Sequence, residues 1–288
     1  MDFFKKLFAS LKGLLDFIQR YFKSLLFLLI VILIFMPASP EELAKPNLMR
    51  VKVEGPIIDA EGVLKEIKEA ESQNIKGVLV IVNSPGGAVA PSVEIALALK
   101  RLKKLKPVVA YAAGTMASGS YYASIYADRI VANPGSTIGS IGVLFESMNI
   151  EALAKKIGIE EQSVQAGKYK QIGTPLRKWK PYEKEELKRL IDDTYEMFVT
   201  DVAKARGLDL NKSGEFADAH VFSAKRALQV GLIDEVGSIH AAEQELIRRS
   251  SVIKPKWKQK DRFETVMDRL FGETTSRLFT YLEGLKAY

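Results

Sequence analysis

The sequence predicts an α/β domain of repeated strand-helix units that follows an N-terminal transmembrane helix. Two short apolar runs, residues 77–82 (GVLVIV) and 107–113 (PVVAYAA), are typical of strands buried on both faces. A helix-compatible stretch follows each run, and this alternation favours helices packed against a sheet. A third apolar run, residues 25–36 (LLFLLIVILIFM), ends at Pro37 and predicts the membrane segment.

The N-terminal segment predicts a membrane anchor. Residues 1–20 form an amphipathic arm, because apolar side chains recur at roughly helical spacing with basic residues between them. Residues 21–38 form a transmembrane signal-anchor that contacts lipid; a cleaved signal peptide has a similar apolar length, but the long arm favours an uncleaved anchor. Because lysines and arginines precede the span, we expect a single-pass protein of the cell membrane whose main domain is extracytoplasmic.

The strand-helix domain is predicted at residues 49–252, after a polar, proline-containing linker at 39–48. In the helix after the second strand we expect Val93, Leu97 and Leu99 to face inward. The predicted elements are strands at 49–55, 77–82, 108–113, 129–132 and 138–143, with helices at 59–73, 90–104, 182–205 and 224–230.

The C-terminal tail, residues 253–288, is basic and then amphipathic. This pattern suits packing on a partner or on the membrane, and it suits a plain C-terminal helix equally well.

Composition excludes several classes of site. The chain has no cysteine, so disulfides, thiolate metal sites and a cysteine nucleophile are excluded. The net charge is +7, but no run of Lys and Arg is interleaved with aromatic residues as a nucleic-acid surface requires. We therefore expect no nucleic-acid partner, and we assign the charge to solvated faces and to the membrane-facing arm.

A candidate nucleophile, Ser118, lies in the stretch 114–123 (GTMASGSYYA), where a buried strand changes to a helix. A hydroxyl at a helix N-terminus faces unpaired N–H groups and the positive end of the helix dipole. The amide of Gly119 is placed to donate to an oxyanion on a carbonyl attacked by Ser118. The alternative is that Ser118 is an ordinary N-cap.

A second candidate oxyanion donor is Gly87, at the end of the sequence Asn83-Ser84-Pro85-Gly86-Gly87. This segment follows a buried strand and precedes a helix, and its two glycines allow the backbone to approach a ligand closely. The alternative is a tight strand-to-helix turn with no role in binding.

The base that a serine nucleophile needs is less clear from the residues alone. The two histidines, His220 and His240, lie far downstream without an evident carboxylate partner, so we expect them to be structural or exposed. The stretch 167–170 (GKYK) offers Lys168 and Lys170 after a strand-like run at 161–167, and strand alternation turns both side chains to one side. Either lysine acts as a base only in a dry pocket that lowers its pKa by several units.

Five segments in order, NSPGG, MASGSYY, GSTIGSIGV, GKYKQIGTP and HVFSAKRALQVGLIDEVG, resemble the signal peptide peptidase A family. These are membrane-anchored serine proteases of the Clp/crotonase fold, and the resemblance covers roughly residues 51–244. It implies that Ser118 is the nucleophile, that Lys170 is the general base and that Ser140 hydrogen-bonds and orients the lysine amine. It also implies that Gly87 and Gly119 supply the oxyanion amides.

The resemblance implies an endopeptidase that degrades cleaved signal peptides and other unfolded segments, with no metal or cofactor. It also implies a ring-like homo-oligomer whose neighbouring protomers share active-site groups. Two positions depart from the family, which often has Gly at Ser120 and Asp or Ser at Gln171. Two other classes stay open: an acyl-coenzyme A enzyme of the crotonase type, and a catalytically silent membrane scaffold.

Overall fold

The computed structural model describes residue 13, residues 16–28 and residues 45–259. The chain divides into two compact units, residues 1–45 and residues 46–288, and in the first unit residues 16–28 are helical. Within the described residues, no helix combines the length and the apolar character needed to cross a membrane. Most of the predicted span at 21–38, like most of the tail at 253–288, lies outside the described residues.

The second unit is built on a mixed sheet with seven described strands. Five of them run parallel in the spatial order β1-β2-β3-β4-β7, and β5 pairs parallel with the end of β3 and antiparallel with β6. The strands are β1 Leu48–Glu54, β2 Gly77–Ser84, β3 Val108–Ala117, β4 Arg129–Ala132, β5 Thr137–Gly139, β6 Val221–Ser223 and β7 Glu235–Val236.

Helices cover both faces of the sheet. They are α1 Glu61–Ala70, α2 Val89–Lys103, α3 Gly119–Ser124, α4 Glu151–Lys156, α5 Pro181–Arg206, α6 Ser213–Phe216, α7 Ala224–Gln229 and α8 Ile239–Ser250, with a 3₁₀ turn at Leu210–Lys212. A large apolar cluster joins one face of β1, β2 and β3 to α1, α2 and α3, while α8 packs Ala242 and Leu246 against the other face. This three-layer arrangement explains why the central strands are apolar on both faces.

Most predicted elements are present, and three details were wrong. The strand expected at 138–143 ends at Gly139, and no strand forms at 161–167, where the chain is irregular and bends at 166–167. Leu97 is 48% exposed rather than buried. The buried stripe of α2 follows Ile95, Leu99 and Leu102, and Leu97 falls on the opposite side of that helix.

A bulge in β3 positions the candidate site. Val82 of β2 pairs with Ala112, but Ser84 pairs with Met116, so three residues of β3 lie opposite the single residue Asn83 of β2, an excess of two. The Asn83 side chain holds this bulge by accepting a hydrogen bond from the Thr115 N–H at 3.0 Å. Beyond the bulge β3 leaves β4 and pairs with β5, which brings the end of β3 beside the residues that follow β5.

Candidate active site

Ser118 occupies a strained turn between β3 and α3. Its backbone has φ 52° and ψ −124°, a conformation that costs a non-glycine residue about 1–3 kcal/mol. The Ser118 N–H donates to the Gly139 carbonyl at 2.8 Å, and the Ser118 carbonyl accepts from the Tyr122 N–H at 3.0 Å. The hydroxyl forms no capping bond to α3, so the backbone is fixed while the side chain is left available.

Gly87 and Gly119 present their amides to one small region next to Ser118. As the first residue of α3, Gly119 has an N–H without a partner inside the helix. The Gly87 N–H donates to no other group in the described part of the chain, although its neighbour Ala88 donates to Ile57. A Cβ added to Gly119 would lie 3.3 Å from the Gly87 nitrogen, so the two amides border the same space. This arrangement suits an oxyanion that accepts from both.

Glycine is required at three positions around these amides. A Cβ on Gly119 would lie 2.3 Å from Ser92 Oγ, and one on Gly87 would lie 2.1 Å from the Ile57 carbonyl oxygen. Gly86 has φ +95°, and a Cβ there would lie 2.6 Å from the Gly119 nitrogen and 2.8 Å from Ser118 Cβ. The two glycines of the NSPGG segment therefore allow its backbone to pack directly under the Ser118 turn.

A cavity of about 340 Å³ opens beside Ser118, and its walls are mainly apolar. Helix α5 forms one wall and is joined to α3 through Tyr122, whose hydroxyl donates to Asp201 at 2.5 Å and whose ring packs edge-on against Phe198. Burial, together with the hydrogen bond to Asp201, raises the pKa of Tyr122 above its usual range. The apolar lining comes from Val89, Val93, Tyr122, Val143, Leu144, Met197, Phe198 and Ala219.

Ser140 lines the same cavity as Ser118, Gly87 and Gly119. Its N–H donates to the His220 carbonyl at 2.7 Å, and its positive φ of 49° turns the chain away from β5. The structure therefore brings four of the five predicted site residues to one place.

Lys170, the fifth predicted site residue, lies elsewhere in the single chain. It is exposed on a turn closed by the bond from its N–H to the Gly167 carbonyl, and it does not line the cavity. Its neighbour Gln171 donates to Glu161 at 2.8 Å and to Ser163 at 2.6 Å, so that departure from the family pattern serves the local turn. Both His220 and His240 are exposed.

Lys168 differs from Lys170 in its surroundings. Its ammonium nitrogen lies 4.4 Å from the ring centroid of Tyr182 and 5.4 Å from that of Tyr169. These are cation–π contacts, which hold the ammonium group at the two rings. In the part of the chain that the structure describes, Lys170 makes no ion pair or ring contact.

Ser120 points away from the cavity. It is fully buried, and its hydroxyl bonds to backbone groups of Ser84 and Ala117 instead of facing the nucleophile. A serine at this position therefore leaves the cavity shape unchanged. Sequence reasoning did not find the roles of Ser120, Ser92 and Asn83, because each depends on contacts between separate segments.

An α/β domain with a serine on a strained strand-to-helix turn, next to two free amides, defines a candidate serine hydrolase. The chain belongs to peptidase family S49, whose model matches residues 100–252. That range includes Ser118, Ser140 and Lys170, while Gly87 precedes it. Among residues 13, 16–28 and 45–259, no cluster of three or more His, Asp or Glu side chains is arranged to hold a metal ion.

The curated relatives carry protease names. A putative protease of Methanocaldococcus jannaschii is 44% identical over 65% of this chain and 60% of its own length. A putative protease of Synechocystis is 38% identical over 69% and 73%, and a putative signal peptide peptidase SppA of Enterococcus faecium is 37% identical over 60% and 50%. The chain thus spans between half and three quarters of these relatives. A solved ClpP1 mutant from Listeria monocytogenes aligns with 67% of this chain and 93% of its own, at TM-score 0.48 and 18% identity.

Proposed function

We propose that this protein is a membrane-anchored serine endopeptidase that uses a Ser118-Lys170 dyad to degrade cleaved signal peptides and other unfolded segments. The observation that carries the proposal is the position of Ser118, on a strained turn beside the free amides of Gly87 and Gly119. Membership of a peptidase family favours a peptide carbonyl over an acyl-coenzyme A thioester as the group attacked.

The chemistry proceeds through an acyl-enzyme. The Ser118 oxygen forms a bond to the peptide carbonyl carbon, its proton passes to the base, and the carbonyl electron pair moves onto oxygen. The Gly87 and Gly119 amides receive that oxyanion, and such a donor contributes about 10²–10³ in rate. The base then protonates the leaving amine as the C–N bond breaks, and water releases the acyl group by the same steps.

Two observations favour Lys170 over Lys168 as the base. The Lys168 ammonium is held against two tyrosine rings, so it is not free to reach a neighbouring cavity. Lys170 carries no such contact among the described residues, but its exposure in one chain does not supply the dry surroundings that a neutral amine needs. Those surroundings have to come from another molecule.

A neighbouring protomer in a ring-like homo-oligomer is the proposed source of these surroundings. Exposed apolar side chains are concentrated between residues 144 and 164, where a monomer would leave them in water. They are Leu144, Phe145, Met148, Ile150, Leu153, Ile157, Ile159 and Val164, of which Leu144 is 78% and Met148 79% exposed. In this arrangement Lys170 of one protomer approaches the Ser118 cavity of the next, with Ser140 orienting the amine.

The chemistry of the cavity supports the proposed substrate class. Its apolar walls fit the apolar side chains in which signal peptides are rich. An anchor at residues 21–38 would keep the domain beside the membrane, on the extracytoplasmic side, where such peptides are released. A protease added to intact spheroplasts should then digest the domain after residue 45, and complete protection would contradict this orientation.

The activity itself is tested with two serine variants. Ser118→Ala should reduce peptide turnover by at least 10³-fold without loss of folding, because it removes the nucleophile. Ser124→Ala is the matched control: its hydroxyl donates only to the Ser120 carbonyl inside α3, and turnover should stay within about twofold of the parent. Turnover by Ser118→Ala at the parent rate would exclude the proposal.

A further inference from the structure

The hydroxyl of Ser120 joins the two backbone segments that carry the oxyanion amides. It accepts a hydrogen bond from the Ala117 N–H at 2.9 Å. Its own proton has two acceptors within reach, the Ser84 carbonyl at 2.7 Å and the Ala117 carbonyl at 2.9 Å. The side chain is completely buried, so water cannot replace these bonds.

The first of these segments runs from Ser84 to Gly87. The Ser84 hydroxyl accepts from the Gly86 N–H at 3.2 Å, and the Gly86 carbonyl accepts from the Ile57 N–H at 2.8 Å. A fixed Ser84 carbonyl therefore fixes the turn that presents the Gly87 amide. Beyond the end of β2 at Ser84, the turn is also held by the bond from the Ala88 N–H to the Ile57 carbonyl at 2.7 Å.

The second segment runs from Ala117 to Gly119. Ala117 is the last residue of β3, and the strained turn at Ser118 follows it directly. The Ser120 hydroxyl bonds back to Ala117, so it fixes the turn from the helix side while the bond from the Ser118 N–H to Gly139 fixes it from β5.

We infer that Ser120 is a positioning residue for the oxyanion site: its hydroxyl sets the spacing between the Gly87 and Gly119 amides. The inference rests on the proposed peptidase function. Removal of the hydroxyl leaves the Ala117 N–H and the Ser84 carbonyl without their partner in a buried place, and the two segments then separate or rotate. Because the amides serve the transition state, the loss should appear in kcat rather than in KM.

The test compares Ser120→Ala with Ser120→Cys and with Ser124→Ala, a second buried serine of α3 whose bond stays inside that helix. Each full-length variant is assayed on a fluorogenic peptide. Inhibition is measured with a peptide aldehyde, which adds Ser118 Oγ to its carbonyl carbon and places the resulting oxygen at the two amides. Binding of the matching peptide amide, which forms no such adduct, is measured on the same proteins.

For Ser120→Ala we expect kcat to fall about 10- to 100-fold and the aldehyde to bind more weakly by a similar factor. KM and the affinity for the peptide amide should stay within about twofold, and Ser124→Ala should resemble the parent. If Ser120→Ala does not fold, Ser120→Cys, which keeps the volume and a weaker hydrogen bond, should show the same selective loss of kcat.

Two results would overturn the inference in different ways. An active parent whose Ser120 variants keep kcat, or lose kcat and peptide-amide affinity together, would show that Ser120 does not set the amide spacing, and the proposed function would stand. A parent without turnover and without aldehyde binding would overturn the proposed function and this inference with it.

Discussion

The amides of Gly87 and Gly119 border one space because neither residue carries a side chain there. A methyl group added at either glycine would collide with a different kind of atom. On Gly87 it would meet the backbone of Ile57, whereas on Gly119 it would meet the Ser92 hydroxyl. A backbone atom cannot move aside, but a side-chain oxygen can be removed by substitution. Substitutions at Gly119 and Ser92 can therefore separate the steric cost of a side chain from its effect on the oxyanion.

We predict that Gly119→Ala loses both stability and turnover. Its Cβ would lie 2.3 Å from Ser92 Oγ and 3.1 Å from Ser92 Cβ, and adding Ser92→Ala removes the closer of these two contacts. The double variant should regain part of the lost unfolding free energy, which is about 1–3 kcal/mol. Turnover should stay at least 100-fold low, because the new methyl still lies 3.3 Å from the Gly87 nitrogen. Denaturant unfolding measures the change in stability, and a peptide assay measures turnover. Full recovery of turnover in the double variant would contradict the assignment of the space between the two amides to the oxyanion.

The position of a residue in the fold could be predicted where its neighbours in sequence determine it. Ser118 stands between a buried strand and a helix, and Gly87 stands after the next strand in the sheet, so parallel pairing brings the two strand ends together. The direction of the Ser120 side chain was not predictable, because it depends on how the ends of β2 and β3 lie beside each other after the bulge in β3. The roles of Ser118, Lys170, Ser140, Gly87 and Gly119 stay predictions.

An ion pair between Arg177 and the buried Glu183 fixes the start of α5. Arg177 donates two hydrogen bonds to Glu183, at 2.7 and 2.8 Å, and the Lys180 N–H donates to the same carboxylate at 2.7 Å. Glu183 is completely buried. The bonds from Arg177 and from the Lys180 backbone hold the pKa of Glu183 at about 2, against the effect of burial. This pair joins the turns at 157–180 to the helix that forms one wall of the cavity.

We predict a pH-dependent effect for Glu183→Gln. The carboxyl has an ordinary pKa of about 4.5 when unfolded and about 2 when folded, so it contributes stability above pH 4.5 that is lost as pH falls towards 2. The unfolding free energy of the parent should exceed that of the variant by a constant amount from pH 7 to 5, and the difference should shrink below pH 5. Denaturant unfolding from pH 7 to 2.5 measures it.

The control for this effect is Glu186→Gln. Glu186 lies on the same helix, its side chain is 44% exposed, and its ion pair among the described residues is with Arg189 of that helix. The unfolding free energy of Glu186→Gln should differ little from that of the parent at every pH. If the difference in unfolding free energy between the parent and Glu183→Gln stays constant down to pH 2.5, the ion pair does not hold the pKa of Glu183 low.

The elements themselves followed from hydrophobic pattern where packing is regular. The strand at 129–132 has the bounds that its apolar run predicted, and α5 extends one residue beyond the prediction at each end. The run at 161–167 also alternates, yet it pairs with no neighbouring strand in the described chain and forms no regular structure. Without that strand, alternation could not place Lys168 and Lys170 together.

Lys170 does not line the Ser118 cavity of its own chain, and this separation leads to a prediction about assembly. Ser118→Ala and Lys170→Ala should each be inactive alone, since each lacks one member of the dyad. If neighbouring protomers share the dyad, random co-assembly in equal amounts pairs an intact serine with an intact lysine at about one quarter of the sites. Mixed and reassembled protein should therefore regain up to about one quarter of parent turnover.

The control for co-assembly is a mixture of Ser118→Ala with the Ser118→Ala/Lys170→Ala double variant, which contains no intact serine and should stay inactive. Complete inactivity of the first mixture, with mixed oligomers verified by mass, would contradict a dyad shared between protomers. It would leave open a base from the same chain.

If Ser118 is an activated nucleophile, a covalent serine reagent should react with it selectively. The full-length protein is treated with a serine-reactive peptidyl phosphonate, and the modified residue is identified by mass spectrometry of its peptides. We predict a single adduct on Ser118, absent from Ser118→Ala and retained in Ser124→Ala, formed faster as pH rises because the base must be neutral. An unlabelled Ser118 in a folded protein that cleaves peptides, or an adduct on another serine, would contradict the account.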